Sequence, residues 1–521
     1  MGLYSRKSAR RSLIDTVTFR ALSQIAAMLG YIVMVRAMSR EDFGVLNLLY
    51  AFYPLVGTVA SLGLEQTLRR YQPEFLSGAR PEAAHWLWRT VARARFGVNL
   101  AVLLVVLLTW NFTAPLFKLT PYRAEFVLFC LPMLLHFQVR ILRLSLASYM
   151  LQRHSLGALA WLAIVKLVAY LLITAFGTLT LDMAILADTL GYATAYAMLV
   201  WANRRHCRPA ASARPYVPTE TDRRRLLRYA AYNNFSDAGS YVINVKSDNF
   251  FIAAILDPIA VGVYSFYTRL NQMVVRLLPT RLFDNVLQPL LYTVPPEEAG
   301  ARLPRYFSLM LNMNLLLQWP VFAFVCVYHR ELVHTVFGEK FVDDSWLLPL
   351  IVGFTLVDIV ANPVTFVAQY QEKAATLLLS KVFGIYNVVA LLVMLPVLGV
   401  AGAAIASGST QIFRDAFIWW RVRGIARWLN APAALGFGVL VWGAAILVCL
   451  GLKKAIDIPD LADLMVGLLV LAAAWLVFVR TPAIAESDRM LLASVMRGRE
   501  ARVLRAIGLV GERNGVRLVA D

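Results

Sequence analysis

Runs of predominantly apolar residues, each about long enough to cross the hydrocarbon core of a bilayer, recur along the whole chain: 13–36, 43–68, 90–112, 122–148, 156–178, 181–202, 228–256, 260–290, 305–329, 345–370, 374–398, 400–422, 432–452 and 460–480. A backbone surrounded by lipid has no water to bond to, so each run must satisfy its own amides as a helix. The expected fold is therefore all-α and polytopic, with about fourteen transmembrane helices. Composition agrees: 59% of the 521 residues are hydrophobic and 16% are charged, against about 45–50% and 25% in soluble domains.

The net charge of +19 would suggest a nucleic-acid partner in a soluble chain. Here the arginines cluster between apolar runs, where they face anionic lipid, and no nucleic-acid partner is expected. Their distribution also orients the chain. Arg6, Lys7, Arg10 and Arg11 precede the first run, Arg69, Arg70, Arg80 and Arg89 follow the second, and Arg204, Arg205, Arg208, Arg214, Arg223, Arg224 and Arg225 follow the sixth. Connections on the other side carry little charge, which predicts cytoplasmic N- and C-termini. Asp15 and Arg20 interrupt the first apolar run and no small-residue cleavage site follows, so it is read as a retained span.

The segments divide as residues 1–202, a first six-helix lobe; 203–227, a basic linker rich in Arg, Pro and Ala; 228–425, a second six-helix lobe; 426–480, two additional spans; and 481–521, a basic amphipathic cytoplasmic tail. An internal repeat supports the lobes. Aligning "AMSREDFGVLNLLYAF" with "AILDPIAVGVYSFYTRL" superposes Gly44 on Gly262, at the corner between spans one and two and between spans seven and eight.

Polar residues within the spans follow helical faces. Asn233, Asp237, Ser240, Asn244 and Asp248 step by three or four along span seven and make one stripe. Lys246 lies two positions from Asp248, nearly on the opposite side, so the two cannot neutralise each other. Asp188 and Asp358 are its candidate partners on other helices. Span eight carries Ser265, Arg269, Gln272 and Arg276; span one carries Arg20, Gln24 and Tyr31; span two carries Asn47, Thr58, Ser61 and Glu65; span ten carries Asp358, Asn362, Thr365 and Gln369. A charge facing lipid at the helix centre costs about 2.5–3.5 kcal/mol on insertion scales. The stripes are therefore expected to converge on a central hydrated cavity, although any single Ser or Asn serves equally well as interhelical glue. Lys166 and Lys381 leave two readings open, a cavity or a helix contact. Arg140 and Arg143 are placed near the cytoplasmic mouth.

No P-loop, H-E-x-x-H, G-x-S-x-G or dinucleotide fingerprint occurs. The six histidines show no metal-ligand spacing, and the four cysteines no C-x-x-C or disulfide framework. Neither an enzyme nor a cofactor is expected.

The segments "RAMSREDFGVLNLLYAFYPLVGTVASLGLEQTLRRYQPEF", "SDNFFIAAILDPIAVGVYSFYTRLNQ" and "LPVLGVAGAAIASG" resemble the polysaccharide transporters, the Wzx-like O-antigen flippases of the multidrug/oligosaccharidyl-lipid/polysaccharide (MOP) exporter superfamily, in order over about the first 425 residues. The resemblance implies two six-helix lobes around a central cavity and transfer of an undecaprenyl-diphosphate-linked oligosaccharide across the bacterial inner membrane. It also implies membrane lipids and a polysaccharide polymerase or glycosyltransferases as partners. With that substrate, Arg20, Arg269 and Arg276 would hold the diphosphate, Gln24, Asn233, Asn244 and Gln272 would face the glycan, and Asp248 would be the ion-coupling carboxylate. A multidrug exporter, a lipid II flippase and a non-transporting component of a synthase complex are the alternatives.

Overall fold

A computed structural model describes residues 6–78, 80–207, 216–241, 245–276, 296–370, 373–422, 431–456, 458–481 and 489. Among them the secondary structure is helical throughout, and ten helices are long and apolar enough to cross a membrane. The four expected spans that do not meet that criterion, 228–256, 260–290, 345–370 and 400–422, carry in-span charge at Asp248, Arg269, Asp358 and Arg414, and the first two extend beyond the described residues. The chain separates into two compact units, Met1–Gly262 and Val263–Asp521.

The first unit holds α1 (Arg6–Ala37), α2 (Arg40–Val59), α3 (Leu64–Ser77), α4 (Pro81–Leu108), α5 (Trp110–Leu116), α6 (Arg123–Ser148), α7 (Gln152–Phe176), α8 (Leu181–His206), α9 (Glu220–Tyr241) and α10 (Val245–Ile255), and the first residues of α11 (Pro258–Val275). Helix α1 packs along α7, α6 and α7 both pack along α8, and α3 lies against α4. Two helices begin alike at the corners that the repeat aligns. The Ser39 side chain accepts from the Asp42 amide at 3.0 Å to cap α2, and the Asp257 carboxylate accepts from the Ala260 amide at 2.7 Å to cap α11. The two aligned glycines touch: a Cβ on Gly44 would fall 2.0 Å from the Pro258 carbonyl oxygen, and one on Gly262 3.0 Å from Gly44 Cα. Only hydrogen fits between these backbones.

The second expected span, 43–68, is corrected by the structure. It ends at Val59, and Leu62 (φ 46°) and Gly63 (φ 64°) turn the chain into α3. Helix α3 buries Leu68, Tyr71 and Phe75 against Ala83, Leu87 and Ile141, while Arg69 and Arg70 stay exposed. Gly63 is required twice over, by its positive φ and because a Cβ there would sit 1.9 Å from the Ala230 carbonyl oxygen. Gly63→Ala is expected to lower the unfolding free energy by at least about 1–2 kcal/mol, seen as a fall in melting temperature in detergent. An unchanged transition would overturn that role.

The second unit holds most of α11, then α12 (Pro296–Phe337), α13 (Leu347–Tyr370), α14 (Ala374–Leu379), α15 (Phe383–Leu398), α16 (Val400–Arg421), α17 (Ala431–Ala455) and α18 (Asp460–Arg480). Helix α12 kinks at Tyr328 (φ −112°, ψ 19°). The two spans that lie outside the repeat, α17 and α18, share one core with α12: Phe307, Leu311, Leu315 and Trp319 pack with Trp442 and Phe478. Lys453 fixes α17 by donating to Glu331 at 2.7 Å, and the Trp475 indole fixes α18 by donating to the Leu316 carbonyl at 3.1 Å.

Candidate functional site

Arginines from two helices of the first unit meet at one carboxylate. Glu65, in the first turn of α3, is 6% exposed. Its Oε2 accepts from Arg140 Nε of α6 at 2.7 Å, and its Oε1 lies 3.5 Å from Arg95 Nη2 of α4. Arg95 is 1% exposed; it also donates to the Gly57 carbonyl at 2.7 Å and covers the Phe137 ring at 5.1 Å. Arg143, one turn beyond Arg140, donates from Nε to the Ser155 carbonyl at 3.1 Å, and Ser155 Oγ returns a bond to the Arg143 carbonyl at 3.2 Å. Two guanidinium groups thus meet one buried carboxylate, and a third, that of Arg143, stands one helical turn from Arg140. Arg20, Arg69 and Arg140 are exposed.

Chemically the cluster separates into a support and a face. Glu65, buried beside Arg95, holds Arg140 by its Nε edge, which leaves the terminal guanidinium nitrogens of a half-exposed side chain available to an anion. Arginine presents its donors as a planar fork matched to phosphate oxygens, so a multiply charged oxyanion is the ligand class that suits this face.

The other residues singled out from the sequence are distributed as follows. Arg20 and Gln24 are both exposed and four positions apart on α1. Arg269, Gln272 and Arg276 follow one another at three- and four-residue steps on and just after α11 in the second unit; the two arginines are exposed and Gln272 is half-buried. Asp248 is completely buried in α10, so it contributes no exposed carboxylate to a wet surface. The side chains of Asn233 and Lys246, and all of Asn244, lie outside the described residues.

Lys166 resolves to a helix contact, an ion pair with Asp188 across α7 and α8. Tyr50 and Tyr170 both donate to the same carboxylate, at 2.6 and 3.2 Å. Asp358 accepts from Arg414 at 3.1 Å. Both partners considered for Lys246 therefore hold other cations. Sequence reasoning missed Arg95, Arg414 and Asp415; the available signal was charge inside otherwise apolar helical runs. Buried Gln72 of α3 donates to Ser145 of α6 at 2.8 Å and so ties two helices together, whereas Asn47 bonds the Phe43 carbonyl of its own helix at 2.7 Å.

The basic connector also has a structured end. Arg225 makes a two-point contact with Glu74 of α3 at 2.8 and 3.2 Å and stacks on Tyr71 at 4.8 Å. Tyr216 donates to Asp222 at 2.6 Å, which holds the Asp222 carboxyl below its usual range, while burial and that same bond push the Tyr216 hydroxyl up to about 12.

A bundle of bilayer-length helices defines a multi-pass membrane protein. The chain belongs to the polysaccharide biosynthesis protein family, whose model matches residues 10–289. A search of curated proteins finds no significant match. Among solved structures, the chain is similar to a lipid II flippase, MurJ, in an inward closed conformation, with a TM-score of 0.66 and 10% identity over 93% of this chain and 99% of that one. It is also similar to a multidrug resistance MATE family transporter of the MOP superfamily in an inward-facing conformation, with a TM-score of 0.60 and 12% identity over 79% of this chain and 98% of that one. At these identities the likeness is one of fold.

Proposed function

We propose that the chain is a flippase that moves an undecaprenyl-diphosphate-linked oligosaccharide across the bacterial inner membrane for surface polysaccharide synthesis, with both termini in the cytoplasm. The observation that carries this reading is the Arg140 guanidinium held on buried Glu65 beside Arg95, with Arg143 one turn beyond it, in a chain of the polysaccharide biosynthesis family. A diphosphate is the part of such a substrate that membrane lipid rejects most strongly, and an excess of guanidinium groups compensates for its lost hydration. Arg269 and Arg276, in the other unit, supply further cationic contacts in this proposal, with Gln24, Gln272, Asn233 and Asn244 toward the sugar. The headgroup crosses by alternating access, and a polymerase or glycosyltransferases of the same pathway are the expected partners. A multidrug exporter of organic cations would call for exposed acids where this cluster presents arginines.

In a deletion strain, wild-type chain is expected to restore surface polysaccharide, while Arg140→Ala and Arg143→Ala each reduce export by about tenfold or more, the worth of one charge-assisted bond. Lipid-linked sugar extracted from the deletion strain would be expected to accumulate on the cytoplasmic side. Wild-type export by both variants would overturn the phosphate role. Accumulation of lipid II alone, with normal surface polysaccharide, would reassign the substrate.

A further inference from the structure

A second charged cluster, in the other unit, has the opposite imbalance. Arg414 and Asp415 are neighbours on α16, and Arg414 folds back so that Nε and Nη2 both reach Asp415 Oδ1 at 2.9 Å. The same Nη2 reaches Asp358 Oδ1 of α13 at 3.1 Å. Two carboxyl groups therefore share one guanidinium. Asp415 is 6% exposed, and its Oδ2 is enclosed with no hydrogen-bond partner.

The charge count decides what this arrangement can hold. Two ionised carboxylates and one guanidinium leave a net charge of minus one inside helices read as membrane spans. Burying an uncompensated carboxylate there is strongly unfavourable, and two carboxylates on one guanidinium repel each other besides. One proton removes both penalties by neutralising the excess charge. By contrast, Lys166 with Asp188 and Lys453 with Glu331 each match one cation to one anion.

The remaining titratable side chains described on the elements that pack against α16 are few. Tyr386 of α15 exchanges its bond with Ser409 at 3.2 Å, Lys381 stands in the short turn between α14 and α15, and Lys373 reaches the Arg421 carbonyl at 3.4 Å. The side chains of Asp358 and Arg414 are 22% and 29% exposed, so the cluster is open to exchange at that edge while Asp415 is closed in.

We infer that Asp358, Asp415 and Arg414 form a membrane-embedded site that takes up and releases one proton. This places an exchangeable ion in the second unit, away from Asp248, and gives a transporter fold a means of drawing on a proton gradient. Proton binding does not depend on what the chain carries, so its test stands apart from the flippase reading.

The full chain, purified into lipid nanodiscs, would be titrated and followed by infrared difference spectroscopy of the carboxylic acid carbonyl stretch. One protonated carboxyl equivalent is expected to appear as the pH falls. Asp415→Asn and Asp358→Asn should each abolish it, and Arg414→Gln should move its midpoint to higher pH because the cation that favours the ionised form is gone. The melting temperature of each variant establishes that it is folded; the two isosteric asparagine variants provide independent readings. A signal that persists at wild-type amplitude in both folded asparagine variants would overturn the site. So would its displacement by sodium at constant pH, which would make the ligand a metal cation.

Discussion

Asp188→Asn is expected to destabilise the folded chain by about 3–5 kcal/mol, the cost of leaving a buried ion without its partner. Asp188 is completely buried, and it neutralises Lys166 while accepting hydroxyl bonds from Tyr50 at 2.6 Å and Tyr170 at 3.2 Å. Asparagine keeps the shape and can still accept from the tyrosines, so the loss isolates the charge. The ammonium then remains on α7 among lipid-facing apolar residues, with only its contacts to the Tyr50 and Tyr170 rings, at 5.7 and 5.9 Å, to offset it. Denaturant or thermal unfolding in a fixed detergent measures the effect. The double change Asp188→Leu with Lys166→Met removes both charges and is expected to recover most of the stability, since an apolar replacement of a buried pair is often neutral or better. If the single change were silent, or the double change as damaging as the single, the pair would not be the element that locks α7 to α8.

Glu65→Gln is expected to have an effect of similar size on stability and a larger one on function. Arg95 is 1% exposed, and Glu65 is the carboxylate set against it at 3.5 Å, so neutralising the acid leaves a buried guanidinium with neutral acceptors and costs about 3–5 kcal/mol. The same acid holds Arg140 at 2.7 Å. Glutamine cannot reproduce that charged contact, and Arg140 loses the anchor that orients its outer nitrogens. Export of surface polysaccharide should therefore fall below that of Arg140→Ala at matched protein level. Glu65→Asp, which keeps the charge on a shorter arm, should recover part of the stability. Export by Glu65→Gln equal to wild type would show that Arg140 needs no such anchor.

How much of this was legible in the sequence varies with distance along the chain. Helical periodicity places Arg20 with Gln24, and Arg269 with Gln272 and Arg276, because positions three and four apart on one helix face the same way whatever lies around them. The same rule separates Lys246 from Asp248. It cannot say which helix stands opposite. Asp188 pairs with Lys166 and Asp358 with Arg414, pairings that depend on which helix faces pack together. The end of the second span was misplaced for a different reason: apolar content continues to Leu68, but Leu62 and Gly63 adopt positive φ, and hydrophobicity carries no information on φ.

The repeat lies between these cases. The similarity of the corners at Ser39 and Asp257 is written in local capping chemistry, whereas the approach of Gly44 to Pro258 and Gly262 emerges only when α2 and α11 are brought together.

The sequence by itself determined that this chain is a bundle of bilayer-spanning helices, because a hydrocarbon solvent admits no other use for so many long apolar runs. It also determined which polar residues share a face, since that follows from 3.6 residues per turn. Only the tertiary structure decided which charges meet: two arginines with Glu65 in one unit, one arginine with Asp358 and Asp415 in the other. Electrostatic pairing depends on separation in space, and residues on different helices acquire that separation only through packing.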